Sequence, residues 1–358
     1  MRRMACVTII LVALLTAPVY AVQIYDILSA PQPRLVLMPS GNSYMVTDFD
    51  IQLPAGTSEL AYDFSAFDVD EENVRLRLIS PDDATIGERY RSPQKPGTVC
   101  WTIESPRAQQ GTVQLRYVPS GLDISFSYDA KLRTDDGHLQ LNAHVTVKND
   151  SAHDYRSLQI RTATGDRFAV SLDSGASITR KLGACDPAQY QSEFVYDTKR
   201  YGDHVTQVIS FVPVERTSLS PGSIRFVIDA DGLQQVLGTA QLPYVRRGEE
   251  VTLSVRKCTA VAVSGGLEKS EQKSVRTDVY KKLALYDQQE QSKFELYNNG
   301  SDDIILRFYV HHEGDWELKD CSHEFSREDA EVAVFRVPIG AGDKTVLKYT
   351  VVTHNLTP

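Results

Sequence analysis

The chain has 358 residues, with 38 Lys and Arg against 47 Asp and Glu, and a formal net charge of −9 at pH 7. That balance excludes a protein built throughout to neutralise nucleic-acid phosphates, and it argues equally against one that lies on an anionic membrane. Its direct consequence is solubility, and the length leaves room for two or three domains.

Residues 1–21 read as an export signal. Arg2 and Arg3 precede an apolar run over 5–16, and Val19-Tyr20-Ala21 supplies the small-residue cleavage pattern. The run is shorter than the roughly 20 residues of a permanent span, and no second apolar span follows, so no transmembrane anchor is expected after its removal. Losing Arg2 and Arg3 takes two positive charges from −9 and leaves −11. The expected location is the periplasm, the cell surface or the medium.

After the signal, strand patterns dominate. Leu35-Val36-Leu37-Met38 meets a turn at 39–42, residues 44–53 run to a second turn at 54–57, and Val74-Arg75-Leu76-Arg77-Leu78 alternates. Such alternation puts one face inward and the other in water. Val99, Trp101 and Ile103 share a face, with Cys100 on the other. Residues 114–118 and 122–132 lead to Thr134-Asp135-Asp136-Gly137, a tight hairpin turn. The return arm carries Leu139, Leu141, Ala143, Val145 and Val147 inward, with His144 outward, and breaks at Asn149-Asp150-Ser151. Further strands follow at 224–228, 233–242, 251–255, 294–297, 304–310, 316–321, 332–339 and 346–352. Residues 268–291 are rich in Lys, Gln and Glu. Propensity allows a helix there; long twisted strands are the reading taken. The expected fold is all-β: an N-terminal β domain over 22–112, a central β-sandwich over 113–245 and a C-terminal immunoglobulin-like sandwich over 246–358.

Cys6 leaves with the signal, and Cys100, Cys185, Cys258 and Cys321 remain. An even count in an exported chain points to disulfides, and no C-x-x-C spacing points to zinc. Keeping each bridge within one half of the chain gives Cys100–Cys185 and Cys258–Cys321. Loops of about 85 and 63 residues make each bridge worth about 4 kcal/mol. Four free buried thiols are the other reading.

No G-x-S-x-G elbow, H-E-x-x-H pair or phosphate-cradling glycine loop is present, and no cofactor is implied. His311-His312-Glu313-Gly314-Asp315 with His323 is the most metal-like cluster. Adjacent residues on a strand point to opposite faces, so a polar hairpin end is the plainer reading. Asp68-Val69-Asp70-Glu71-Glu72 and Asp229-Ala230-Asp231-Gly232 invite calcium, yet neither has the twelve-residue EF-hand pattern. Asn149-Asp150-Ser151, Asn299-Gly300-Ser301 and Asn355-Leu356-Thr357 match a glycosylation triplet at turns or the terminus. Trp101 and Trp316 read as core.

Residues 33–64, PRLVLMPSGNSYMVTDFDIQLPAGTSELAYDF, resemble the opening of an uncharacterised exported bacterial family, a domain of unknown function sometimes labelled mucoidy-inhibitor-like. GLDISFSYDAKLRTDDGHLQLNAHVTVKNDSAHDYRSLQI is similar to its middle block. SPGSIRFVIDADG, RRGEEVTLSV, FELYNNGSDDIILRF and GDWEL fit later blocks in order. The resemblance implies an exported β-rich protein with a C-terminal immunoglobulin-like unit, and no activity. The chain departs from the pattern in lacking a long insertion after the first unit, in Ile124, in LPYVRR and in Cys258. The function expected is that of a non-catalytic envelope protein binding a protein or polysaccharide through loops or sheet edges. The alternatives are a metal-dependent or hydrolytic enzyme, and a structural subunit of a surface assembly.

Overall fold

The computed structural model describes residues 21–26, 33–38, 43–64, 69, 71–93, 95–133, 136–162, 165–213, 218–230 and 233–357, without the side chains of 21–26, 184–187 and 230. The export signal up to residue 20, the turn at 39–42 and parts of the turns at 134–137 and 229–232 lie outside the described residues. Those described form an all-β protein, as the alternation predicts.

The chain opens with β1 (Ala21–Asp26), β2 (Arg34–Leu37), β3 (Ser43–Leu53), β4 (Gly56–Asp63), β5 (Arg75–Ser80), β6 (Thr85–Arg91), β7 (Thr98–Ser105) and β8 (Gln109–Tyr117). The hairpin of β9 (Leu122–Arg133) and β10 (His138–Asn149) follows, then β11 (Tyr155–Arg161), β12 (Arg167–Leu172) and the long β13 (Ser177–Tyr196). One helical turn, α1 (Thr198–Tyr201), precedes β14 (Val205–Phe211), β15 (Gly222–Ala230), β16 (Leu233–Leu242) and β17 (Val251–Lys257). A second, longer hairpin joins β18 (Val261–Thr277) to β19 (Leu283–Asn298). β20 (Ile304–His311), β21 (Trp316–Lys319), β22 (Phe325–Arg327), β23 (Val332–Ile339) and β24 (Lys344–Leu356) end the chain.

These strands repeat one arrangement twice. In the first pass a sheet runs β12-β11-β2-β3-β8, and in the second a sheet runs β23-β20-β13-β14-β17. In both, the central pair is parallel (β11 with β2, β20 with β13) and its neighbours are antiparallel. The facing sheets repeat as well: β9-β10-β13 in the first pass, β18-β19-β24 in the second. β13 serves both passes, pairing with β10 over Ser177 to Gln189 and with β14 and β20 from Tyr190 onward. The sheets therefore cross the boundaries expected at 112 and 245: β8 spans residue 112, and β13 and β14, before residue 245, pair with β20 and β17, after it.

Inward positions of the alternating strands make the core. Leu139, Leu141, Ala143, Val145 and Val147 of β10 are all buried, as are Leu35, Leu37, Phe49, Ile51 and Leu53 of β2 and β3. Each such side chain contributes about 1.5–3 kcal/mol on leaving water. Trp101 packs edge-on to Tyr62, which meets Phe49. The second core holds Trp316 and a run of rings in which Tyr196 and Phe294 meet Phe308, and Phe308 and Phe335 meet Tyr349. Two glycines mark close backbone approach. A Cβ on Gly222 would lie 2.1 Å from Phe126 O across β15 and β9, and one on Gly238 would lie 2.3 Å from Val255 O.

Residues 268–291 are strand on both sides of a hairpin. The polar run stays extended because β19 is a central strand, bonded to β18 on one edge and to β24 on the other. Its charges pair across the ribbon, as in Arg276–Asp287 at 3.1 Å and Lys293–Glu268 at 3.8 Å.

The disulfide expectation is corrected. Cys100, Cys258 and Cys321 are free. Cys100 lies mid-strand in β7, in the β1-β4-β7-β6 sheet, whereas Cys185 lies on β13 opposite Leu141, in another sheet; its side chain is outside the described residues. Cys258 is buried just after β17, with its N–H on Val205 O, and the half-buried Cys321 thiol donates to Lys319 O at 3.5 Å. Keeping each pair within half the chain ignored the layering of sheets, which decides whether two Cα atoms come within bridging distance.

Candidate functional site

The outer face of the first repeat's β12-β11-β2-β3-β8 sheet, extended by β5, is where charge accumulates. With inward positions taken by Leu35, Leu37, Met45, Leu115 and Ile160, the alternate residues must face water. Register fixes which ones meet. One row across the sheet reads Gln159, Arg34, Val46, Arg116, Arg75. The next reads Arg167, Arg161, Val36, Tyr44. A third carries Asp48, Gln114 and Arg77. All six arginines on these rows are exposed.

They are held in different ways. Arg34 pairs with Asp48 at 2.6 Å, and Gln114 donates to the same carboxylate at 2.9 Å. The Arg116 guanidinium carbon lies 3.5 Å from the centre of the Tyr44 ring, a cation–π contact. Arg75 donates to Val74 O at 3.0 Å. Arg161 and Arg167 are directly opposed on β11 and β12 and form no ion pair with any described residue. Like charges opposed across a strand pair destabilise it. A groove of about 620 Å³ opens between these groups, walled by Arg34, Tyr44, Gln114, Gln159, Arg161 and Arg167.

The same face of the second repeat is chemically different. Its groove of about 450 Å³ is lined by Glu193, Asp197, Glu250, Arg307, Tyr309 and Glu328. Arg307 is gripped by Glu193 at 2.9 Å and Glu328 at 2.5 Å, so its charge is satisfied within the chain. The two repeats offer equivalent surfaces, one with uncompensated cations and one in which four carboxylates outnumber Arg200 and Arg307.

Of the residues singled out from sequence, His311, His312 and Glu313 line one open pocket of about 400 Å³ with Lys199, Glu290 and Thr353, and the others lie apart. His311 bonds Asp197 at 2.8 Å, and Asp197 also caps α1 through the N–H groups of Lys199 and Arg200. His312 turns the other way, bonding Thr353 and meeting Trp316 edge-on, and burial lowers its pKa. His323 bonds Ser322 at 2.8 Å. Among the described residues no three His, Cys, Asp or Glu side chains gather as a metal site. Asp68 and Asp70 lie outside the described residues; Glu71 pairs with Arg91 at 2.6 Å and Asp229 with Lys131 at 2.5 Å. The Asn149 amide is fully buried and donates to His153 O and Leu172 O. Trp101 and Trp316 are core residues, the latter donating to Ala330 O. None of these residues lies in the arginine groove.

The arginine face went unseen in the sequence because its members come from residues 34 to 167, one or two per strand. The available signal was outward arginine on several strands, as in Val74-Arg75-Leu76-Arg77-Leu78, but pairing order was needed to join them. No helix among the described residues is long and apolar enough to cross a membrane. No protein-family model, curated protein or solved structure matches the chain.

Proposed function

We propose that the protein is a non-catalytic, exported binding protein of the cell envelope, and that the arginine face of its first repeat holds an anionic polysaccharide. The observation that carries this reading is the opposition of Arg161 and Arg167 beside a groove with no acid of its own to meet them. Guanidinium groups match carboxylates in bidentate geometry, which lysines do not. Gln159 and the Gln114 Oε1 add neutral hydrogen-bonding groups, and Tyr44 lines the groove beside them, a combination that sugar hydroxyls can use. Strands about 4.8 Å apart present successive cations to an extended polymer rather than to one point charge.

Affinity electrophoresis through a gel containing a polyuronate tests the proposal. Retardation should exceed that in a neutral-glucan gel and should be lost in Arg161→Ala/Arg167→Ala. Equal mobility in both gels, or retention by an acidic protein column alone, contradicts it.

A further inference from the structure

The hairpin joining β18 to β19 carries a second surface, independent of the arginine face. β24 supports the ribbon only as far as Tyr286, opposite Leu356. Beyond that the ribbon is two strands alone, through Arg276↔Leu285 and Thr277↔Leu283 to the turn. Bare two-stranded ribbons are marginal in water. This one ends in Val279, 90% exposed, and Tyr280, 80% exposed, the two most exposed large apolar side chains among the described residues, with Val275 also exposed nearby.

The turn is built to present them. The Asp278 carboxylate accepts the N–H groups of Tyr280 and Lys282, both at 2.8 Å. Asp278 N–H reaches Lys282 O at 2.8 Å, and Lys281 N–H reaches Asp278 O at 3.0 Å. This is a three-residue loop whose last member takes the left-handed conformation, a place that favours glycine. The chain has Lys281 there, at φ 58°. Lys281 and Lys282 form no ion pair among the described residues, whereas Lys273 pairs with Glu271 and Arg276 with Asp287. Two outward apolar side chains and two uncompensated lysines thus sit together at the end of an arm on an acidic protein.

We infer that this tip docks on a lipid bilayer bearing anionic headgroups. Tyr and Val enter the interfacial layer, where an amphipathic ring is at home, while the lysines meet headgroup phosphates. The attraction is local: net charge repels the body of the protein from such a surface, and the arm holds the tip away from it. Lys281 puts charge, where the bilayer is negative, at the position at which the turn would otherwise favour glycine.

The test is co-sedimentation of the exported protein with vesicles. Binding is expected to vesicles of phosphatidylglycerol and phosphatidylethanolamine, and not to phosphatidylcholine vesicles. Val279→Ser/Tyr280→Ser and Lys281→Glu/Lys282→Glu should each lower partitioning by about tenfold or more. Lys281→Gly, which keeps the turn, should lower it less. Tyr280→Trp supplies a direct readout, because Trp101 and Trp316 are both buried; its emission should shift to the blue on anionic vesicles. Absence of binding, equal binding by the variants, displacement by soluble glycerophosphoglycerol with no contribution from Val279 and Tyr280, or tip-dependent self-association without lipid would each overturn the inference. Loss of polyuronate binding in Arg161→Ala/Arg167→Ala leaves it untouched.

Discussion

Asn149 and Asn298 make the same bonds at the ends of β10 and β19. Each side-chain amide donates to the carbonyl four residues on, His153 O at 2.6 Å and Asp302 O at 2.8 Å. Each also donates to the last residue of a strand in the facing sheet, Leu172 O and Ile339 O. Each Oδ1 accepts the N–H two residues on, from Ser151 and Gly300. Each backbone N–H donates to the residue before the returning strand, Ala176 O and Asp343 O. Gly175 and Gly342 take the left-handed conformation in the matching turns. The bonds tie one sheet to the other at the same corner of both repeats.

Asn149→Ala and Asn298→Ala should therefore each destabilise the protein by about 2 kcal/mol, because buried carbonyls lose their donors. Hydrogen exchange should show faster opening of β10–β13 for the first and of β19–β24 for the second. Equal, uniform loss of protection across both repeats contradicts two corner locks.

Arg167→Glu should stabilise the free protein while destroying its proposed function. It replaces a like-charge opposition with Arg161 by an opposite pair, a change of about 0.5 kcal/mol. Urea unfolding should show a higher midpoint, and polyuronate binding should disappear. A lower midpoint would mean that Arg167 is structural.

Lys281→Gly should raise stability by about 1 kcal/mol, since a side chain in the left-handed region is strained and glycine is not. Denaturant unfolding of the β18–β19 region, followed by a probe on the hairpin, measures this. No change would mean that the turn relaxes around lysine.

Acid should weaken the second repeat. Burial lowers the pKa of His312 below its ordinary 6.5, and burial does the same for His323. A histidine whose folded pKa is depressed adds stability above its unfolded pKa, and that stability is lost as pH falls through the folded value. The melting temperature should thus fall with pH from about 6.5 downward. His312→Gln should flatten that slope. An unchanged slope would show that His312 is not responsible.

Thiol chemistry should follow burial. Burial, and then the Glu59 carboxylate, push the Cys100 thiol up to about 11, and burial raises that of Cys321. Native protein at pH 8 should leave Cys100 unalkylated, while the unfolded chain reacts fully, as read by mass spectrometry. Rapid native labelling of Cys100 contradicts the packing.

Much of the fold was written in alternation. β10, β23 and β24 fall where apolar residues recur every second position, and the polar stretch 268–291 proves extended. The duplication left no such trace. The two corners read Asn149-Asp150-Ser151 and Asn298-Asn299-Gly300 within otherwise different strands, so only hydrogen bonds reveal their equivalence. Asn149 had the chemistry of a turn residue, yet its amide is buried because the turn closes a sandwich corner. Net charge misled about surfaces. It averages an acid-rich face around Arg307 with a cationic one around Arg161, and only strand pairing shows which charges share a face.

The most direct measurement is titration calorimetry of the protein with a polyuronate at rising salt. Affinity should fall steadily with salt, since ion pairs between exposed groups are screened, and the fall should be shallower in Arg161→Ala and shallower still in Arg161→Ala/Arg167→Ala. Binding that ignores salt, or a salt dependence unchanged by both substitutions, contradicts the assignment of this face.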